Sequence, residues 1–193
     1  MYEYFNGTFT EKKPTYVVLD NQGIGYMINI SLNTYEKIKD LDKGKLFVHY
    51  VVREDAQLLY GFAEMAERTL FRALLSVSGV GANTARLVLS SLTTSEAYSA
   101  ISSGDAGRLQ SVKGIGGKTA QRIVVDLKDK LSKDGFMPEN LAFSHNTIQQ
   151  EALSGLLILG FNKSVASKAI EKVLKQSPVD SVEGLIKESL KIL

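Results

Sequence analysis

The sequence predicts an α+β chain built in pieces: a small N-terminal β-barrel, a middle helical domain and a C-terminal three-helix bundle. Three observations carry this. The first part of the chain holds short β-branched and aromatic runs divided by turn residues. From Glu64 the apolar spacing changes to helical period. Near residue 140 periodicity is lost, and helical spacing resumes after it.

The β-rich part, residues 1–63, contains five strand-like runs: Tyr2–Thr10, Tyr16–Asp20, Gly25–Ile30, Lys45–Val52 and Gln57–Phe62. Turn residues such as Asp20-Asn21-Gln22-Gly23 separate them. Five short strands in about sixty residues can bury one face only by closing on themselves, so an OB-fold β-barrel is expected.

Residues 64–131 read as a run of helices. Leu70, Phe71, Leu74 and Leu75 share one face of the first. Thr93-Thr94-Ser95-Glu96 has the spacing of a capping box opening a helix from Ala97 to Ser102, and Asp105 can cap another. Lys118 to Leu131 is longer, with Ile123, Val124, Leu127 and Leu131 facing inward.

Gly, Pro, Asn and Ser make residues 132–146 an expected flexible linker. Residues 147–193 then form the three-helix unit. Thr147–Gln150 is read as a capping box and Gly160 as a C-cap, with later helices at about Ser164–Lys175 and Val182–Ile192. So small a unit cannot bury Leu156, Leu157, Leu159, Phe161, Val165, Ile170, Val173, Leu185, Ile186 and Leu190 together. Part of that set is expected to face a partner.

Composition removes several functions. The chain has no cysteine, which excludes disulfides, iron–sulfur clusters, thiolate zinc sites and cysteine nucleophiles. Its two histidines, His49 and His145, stand in no metal-ligand spacing, so no metal and no cofactor are expected. The apolar run Leu156–Leu159 is far too short to span a bilayer. No basic segment followed by an apolar one opens the sequence, and a cytoplasmic location is expected.

Net charge is only +2, but it is unevenly spread. Residues 1–63 hold seven basic and eight acidic side chains, and 132–193 hold seven of each. Residues 64–131 hold nine basic against six acidic, so an anionic partner is expected to dock there.

An internal repeat lies inside that basic part. Val77-Ser78-Gly79-Val80-Gly81-Ala82-Asn83-Thr84-Ala85 recurs 35 residues later as Val112-Lys113-Gly114-Ile115-Gly116-Gly117-Lys118-Thr119-Ala120. Both copies read V-x-G-[VI]-G-x-x-T-A, and each opens a helix. Glycine permits positive φ and close approach of a ligand to the backbone. The aliphatic residue between the glycines tucks into the core. The N–H groups of the hairpin and of the next helical turn then point outward, where they and the helix dipole attract an anion. A DNA phosphate fits such a site without any base being read. This is a helix-hairpin-helix motif, present twice. The expected phosphate-binding residues are Gly79, Val80, Gly81, Asn83, Thr84, Gly114, Ile115, Gly116, Lys118, Thr119 and Arg122.

Gly117-Lys118-Thr119 mimics the end of a P-loop. The first glycine of that motif would fall at position 112, which is valine, and the preceding segment reads as helix. Ile123-Val124-Val125-Asp126 likewise lies inside a helix and is no metal-binding strand. Intrinsic NTPase activity is not expected.

Glu54 and Asp55 stand at the tip of a strand–turn–strand segment. A solvated polar turn accounts for the spacing. Two carboxylates projecting toward a DNA-binding face would also repel phosphates and penalise a continuous duplex, which a junction with an open centre would escape. Arg53 beside them could restrain the carboxylates or attract a strand.

The run Val51–Phe62 (VVREDAQLLYGF), Glu67-Arg68-Thr69-Leu70-Phe71, the Gly79-Val80-Gly81 hairpin and Gly114–Arg122 together resemble the RuvA family, and the order of parts agrees along the whole chain. The resemblance implies a structure-specific, non-catalytic protein that binds four-way (Holliday) junction DNA in recombination and repair. It implies homotetramers, two of which can sandwich the junction, with Glu54 and Asp55 as an acidic pin near the crossover. It further implies that the C-terminal domain contacts RuvB, whose ATPase drives branch migration, and that the RuvC nuclease joins the larger complex. Some relatives carry lysine where this chain has Asn83 and Gly117. A weaker phosphate attraction per site, and a shallower salt dependence, are therefore expected.

Two other readings are weighed. A helix-hairpin-helix DNA glycosylase would press Asp126 and Lys118 into catalysis but needs a base-flipping pocket. A generic single-strand-binding OB protein would use stacking aromatics. Tyr16, Tyr26, Phe47 and Tyr50 are available, but they alternate as core residues would.

Overall fold

The computed structural model describes residues 2–133, 146–176, 179 and 181–193. The expected linker lies mainly at 134–145, outside the described residues. Its edges differ from the expectation: 132 and 133 continue a helix, and Asn146 begins the next. The chain divides into two compact units, Met1–Pro138 and Glu139–Leu193.

In the first unit, five strands form a closed barrel: β1 (Tyr4–Lys13), β2 (Tyr16–Asn21), β3 (Ile24–Ile30), β4 (Lys43–Val52) and β5 (Gln57–Phe62). The strand order is β1-β2-β3-β5-β4, closed by antiparallel pairing of β1 with β4, and only β3 and β5 run parallel. One strand can serve both β2 and β4 because β1 shifts register between Phe9 and Glu11 and bends there. Gln22 and Gly23, both at positive φ, make the two-residue turn between β2 and β3. Phe5, Phe9, Val17, Leu19, Ile28, Ile30, Leu46 and Val48 alternate inward and fill the barrel.

That filling splits one expectation. Tyr16, Tyr26, Phe47 and Tyr50 are all half-buried. Tyr26 keeps the parity of the inward Ile28 and Ile30 and packs against the barrel core, and Tyr50 keeps that of Leu46 and Val48, whereas Tyr16 and Phe47 are out of phase with their inward neighbours and turn out. Each of the four is engaged within the protein. Tyr16 hydrogen-bonds Glu11, Tyr26 stacks on Phe5, Phe47 lies beneath Lys45 and Arg68, and Tyr50 hydrogen-bonds Gln57.

The sequence reading also passed over a short helix, α1 (Leu32–Ile38), between β3 and β4. Ser31 caps it by accepting from the Thr34 N–H. Ser31 and Thr34 both donate hydroxyl protons to the buried Glu67 carboxylate, which ties the barrel to α2 (Met65–Leu75). Burial raises the Glu67 pKa against the opposing effect of those hydrogen bonds.

Four more helices complete this unit: α3 (Ala82–Ser91), α4 (Thr94–Ser103), α5 (Ala106–Gln110) and α6 (Gly117–Lys133). The Thr93–Glu96 capping box forms, and Asp105 caps α5. Gly104, in the left-handed region, ends α4. One apolar core runs from Tyr60 and Phe62 of β5 through Phe71 and Leu74 to Leu109, Ile123 and Leu127. Barrel and helices thus share buried side chains.

Arg68 reinforces the seam. Its guanidinium is buried and donates to the Glu3 carboxylate and to the Glu3 and Val48 carbonyl oxygens. Asn33 of α1 donates to the carbonyl oxygens of Leu89 and Leu92, occupying acceptors that the end of α3 leaves open.

The second unit contains α7 (Asn146–Ile158), α8 (Lys163–Gln176) and α9 (Val182–Leu190) around Ala152, Leu156, Ala166, Ile170, Val173 and Leu185. Gly160, at φ 96°, closes α7: its own N–H and that of Phe161 reach back to Leu157 and Leu156. The side chains of the expected Thr147–Gln150 box lie outside the described residues. Of the ten apolar residues expected to be mostly core with part left exposed, Leu157, Leu159, Val165 and Leu190 are exposed, as is Ile158 outside that set. Three short helices lack the volume to cover them.

Candidate nucleic-acid interface

The two repeat copies fold into the same backbone turn. After α2, the Val77 N–H donates to Leu74 and the Val80 N–H to Val77, each at 3.1 Å. After α5, the Val112 N–H donates to Leu109 at 3.2 Å and the Ile115 N–H to Val112 at 3.1 Å. Gly79 and Gly114 both adopt positive φ, at 89° and 90°. The following helices start with matching bonds, Ala85 to Gly81 and Ala120 to Gly116, both 2.9 Å.

The equivalence extends one residue before the quoted repeat. Ser76 and Ser111 each donate a hydroxyl proton to the carbonyl three residues back, at 2.7 Å. Burial follows the same register: Val77, Val80 and Ala85 match Val112, Ile115 and Ala120, all buried. Burying such a side chain contributes roughly 1.5–3 kcal/mol and pins each hairpin to the helical core.

This assigns parts among the residues singled out by sequence. The N–H groups of Val80 and Ile115 are consumed inside the turn and their side chains are buried, so they hold the hairpin's shape and offer no free donor. Gly81 caps α3 without a side-chain bond, and Gly116 precedes α6. The first-turn N–H groups around Asn83, Thr84, Lys118 and Thr119 have no intrahelical acceptor. A Cβ added at Gly79, Gly81, Gly114 or Gly116 would meet nothing within 4 Å. The space in front of both hairpins is open.

The side chains differ between copies. Lys118 is exposed, whereas Asn83 in the matching place lies 3.5 Å from the Tyr60 hydroxyl. Arg122 donates to the Ser78 carbonyl oxygen at 3.4 Å, linking α6 to the first hairpin. Lys113 was not among the expected contact residues, yet it is exposed at the tip of the second hairpin. Comparing the variable positions of the repeat would have found it.

Several cations elsewhere in 64–131 serve the fold. Arg86 donates to the Thr15 carbonyl oxygen and the Asn29 side chain, Arg108 pairs with Glu96, and Arg72 donates to His49 Nδ1 at 3.4 Å. Arg68, Arg72 and Arg86 are thereby drawn toward the core, while Lys113, Lys118, Arg122, Lys128 and Lys130 are exposed along the second hairpin and α6.

Glu54 and Asp55 are exposed at the tip of the β4–β5 hairpin, closed by the Arg53 N–H donating to Ala56 at 2.8 Å. Among the described residues neither carboxylate pairs with a cation, and Arg53 does not restrain them. At the base of the same hairpin, Val51 and Leu58 pack against the helical core.

Gly117–Thr119 opens a helix preceded by α5 and not by a strand, so no P-loop forms. Lys118 and Asp126 lie on that one helix, about 12 Å apart along its axis. That separation suits no single glycosylase centre.

A closed five-stranded barrel joined to paired, backbone-equivalent hairpins defines a protein of the tandem helix-hairpin-helix class. Three family models match the chain in turn: RuvA N terminal domain over residues 1–61, SAM-like helix-hairpin-helix tandem over 71–129, and RuvA, C-terminal domain over 147–193. Relatives align over the full length of both chains. The "Holliday junction branch migration complex subunit RuvA" of Christiangramia forsetii is 51% identical, and those of Flavobacterium psychrophilum and Bacteroides fragilis strain ATCC 25285 are 47% and 45% identical. The chain belongs to the RuvA family.

Proposed function

We propose that this chain is the structure-specific subunit that binds four-way junction DNA in a branch migration complex, acting in recombination and repair. The observation that carries the reading is the pair of hairpins with matching backbone bonds and open space before both glycine turns. Two such anion sites on one rigid core suit the two strands of a duplex arm, and neither presents a base-reading side-chain set. Full-length relatives named as Holliday junction branch migration complex subunits support the same reading.

The phosphate contacts are assigned to Gly79, Gly81, Asn83, Thr84, Gly114, Gly116, Lys118, Thr119 and Arg122, with Val80 and Ile115 as buried anchors. Residues 1–63 supply the barrel and the acidic pin, 64–131 the hairpins, and 147–193 a docking unit joined through 132–146. The exposed Leu157, Ile158, Leu159 and Val165 suit a RuvB ATPase partner, which would supply ATP hydrolysis; this chain contributes no catalytic group. Assembly as a tetramer or octamer, cooperation with RuvC and a cytoplasmic setting complete the proposal. No helix among the described residues is long and apolar enough to cross a membrane.

The test is a gel-shift comparison of the purified full chain on a four-way junction and on linear duplex of equal arm length, with competitor DNA. Strong junction preference is the expected result. Equal affinity would remove junction recognition and leave only helix-hairpin-helix DNA binding.

A further inference from the structure

We propose that the two hairpins grip the two strands of a duplex arm unequally: one strand by charge, the other by backbone N–H groups. The strand held by charge lies against Gly114–Thr119 and the other against Gly79–Thr84. The inference rests on the junction-binding reading above and deepens it.

The repeat offset of 35 residues pairs Lys113 with Ser78, Lys118 with Asn83 and Arg122 with Leu87. Every cation of the second hairpin thus faces a neutral residue in the first. The backbones match bond for bond, so the difference is one of side chains alone. Lys113 and Lys118 are exposed and form no ion pair among the described residues. The only charged side chain of α3 is Arg86, and it is turned to the barrel, on Thr15 and Asn29. Leu87, in the place of Arg122, is an exposed apolar residue, 45% accessible.

The first hairpin borrows what charge it has. Arg122 reaches the Ser78 carbonyl oxygen, and Lys130, further along α6, stands 3.4 Å from the Ser76 hydroxyl. Both cations belong to α6 and touch the chain entering the first hairpin, before Gly79. Neither contacts the first turn of α3, where the open donors lie.

A phosphate neutralised by lysine releases condensed counterions, and its binding weakens as salt rises. One held by neutral N–H groups lacks that release and depends less on salt. The two contacts should therefore separate in a salt series. The hold on the strand at the second hairpin is greatest at low salt and fades as salt rises, while the hold on the strand at the first changes less.

The experiment is hydroxyl-radical footprinting of the full chain on a four-way junction, with each strand end-labelled in turn, across a salt series. With protein kept saturating, protection of one strand in each arm should fall more steeply with salt than that of its complement. Asn83→Lys should bring the two dependences together and steepen the slope of log K against log salt by about 0.9 per added contact. Lys118→Gln should flatten the dependence of the steeper strand. Equal dependences in the unsubstituted protein, or variants that change neither strand, would overturn the inference while leaving junction binding intact. No footprint even at low salt would overturn the junction reading, and this inference with it.

Discussion

The guanidinium of Arg122, on the helix that leaves the second hairpin, donates to the Ser78 carbonyl oxygen in the first at 3.4 Å. Ser78 and Arg122 are 44 residues apart, yet the contact makes the hairpins neighbours on one core. A ligand touching both meets a preset spacing. Ordering entropy is spent in folding and need not be spent again in binding.

Substitution at the second glycine of each hairpin should separate binding from folding. Gly81 is extended, at φ −89°, and a Cβ there or at Gly116 meets nothing within 4 Å. Gly81→Ala and Gly116→Ala should shift stability by no more than about 0.5 kcal/mol, as surface changes do. Each should still weaken junction binding, because the methyl occupies the path of phosphate approach. Urea melts beside gel shifts check this; a variant that binds normally would show that the cradle is not used.

Gly7 is held by internal packing instead. A Cβ there would lie 2.0 Å from the Asp20 carbonyl oxygen, where β1 meets β2. Gly7→Ala should destabilise the barrel by about 1–3 kcal/mol or more, since backbone must move. Chemical denaturation measures the loss.

The acidic tip should govern discrimination and leave stability untouched. Glu54 and Asp55 are exposed and unpaired among the described residues. The Glu54→Gln, Asp55→Asn double variant should bind linear duplex more tightly, with an unchanged melting temperature. Junction preference, measured as a ratio of dissociation constants at fixed salt, should fall.

His49 should make the barrel–helix seam acid-sensitive. Its pKa is lowered by burial first, then by Arg72 and Arg68. It accepts from Arg72 Nε and packs edge-on against Phe71, and the Glu3 carboxylate acts on the two guanidinium groups, binding that of Arg68. The unfolded chain takes up the proton near pH 6.5 and the folded chain only at lower pH. Stability is therefore full above about pH 6.5 and declines as pH falls toward the folded value. Denaturation midpoints measured between about pH 7.5 and 5.5 should show that decline, and His49→Gln should flatten it.

The longer elements were legible because their patterns are local. Strand alternation, the Thr93–Glu96 box, the Gly160 cap and the V-x-G-[VI]-G-x-x-T-A repeat all depend on neighbours within a few residues. Helix α1 escaped notice because seven residues carry too little periodicity. Its stability comes from Ser31 and Thr34 meeting Glu67, more than thirty residues away. Of the four aromatics read as core-like, Tyr26 and Tyr50 share the parity of the inward residues and Tyr16 and Phe47 do not, because alternation reveals parity but not which parity is inside.

By itself, then, the sequence determined the order of barrel, helices and bundle, the two glycine turns, and the aliphatic residues that anchor them. Those features follow from backbone conformations only glycine adopts readily and from short-range spacing of apolar side chains. Tertiary structure decided which cations remain available. Arg68, Arg72, Arg86 and Arg108 look equivalent to Lys113 and Lys118 in a charge count, but the fold commits them to carboxylates, carbonyl oxygens and His49. Charge is a property of the residue, while its availability depends on which partners packing brings within about 3 Å.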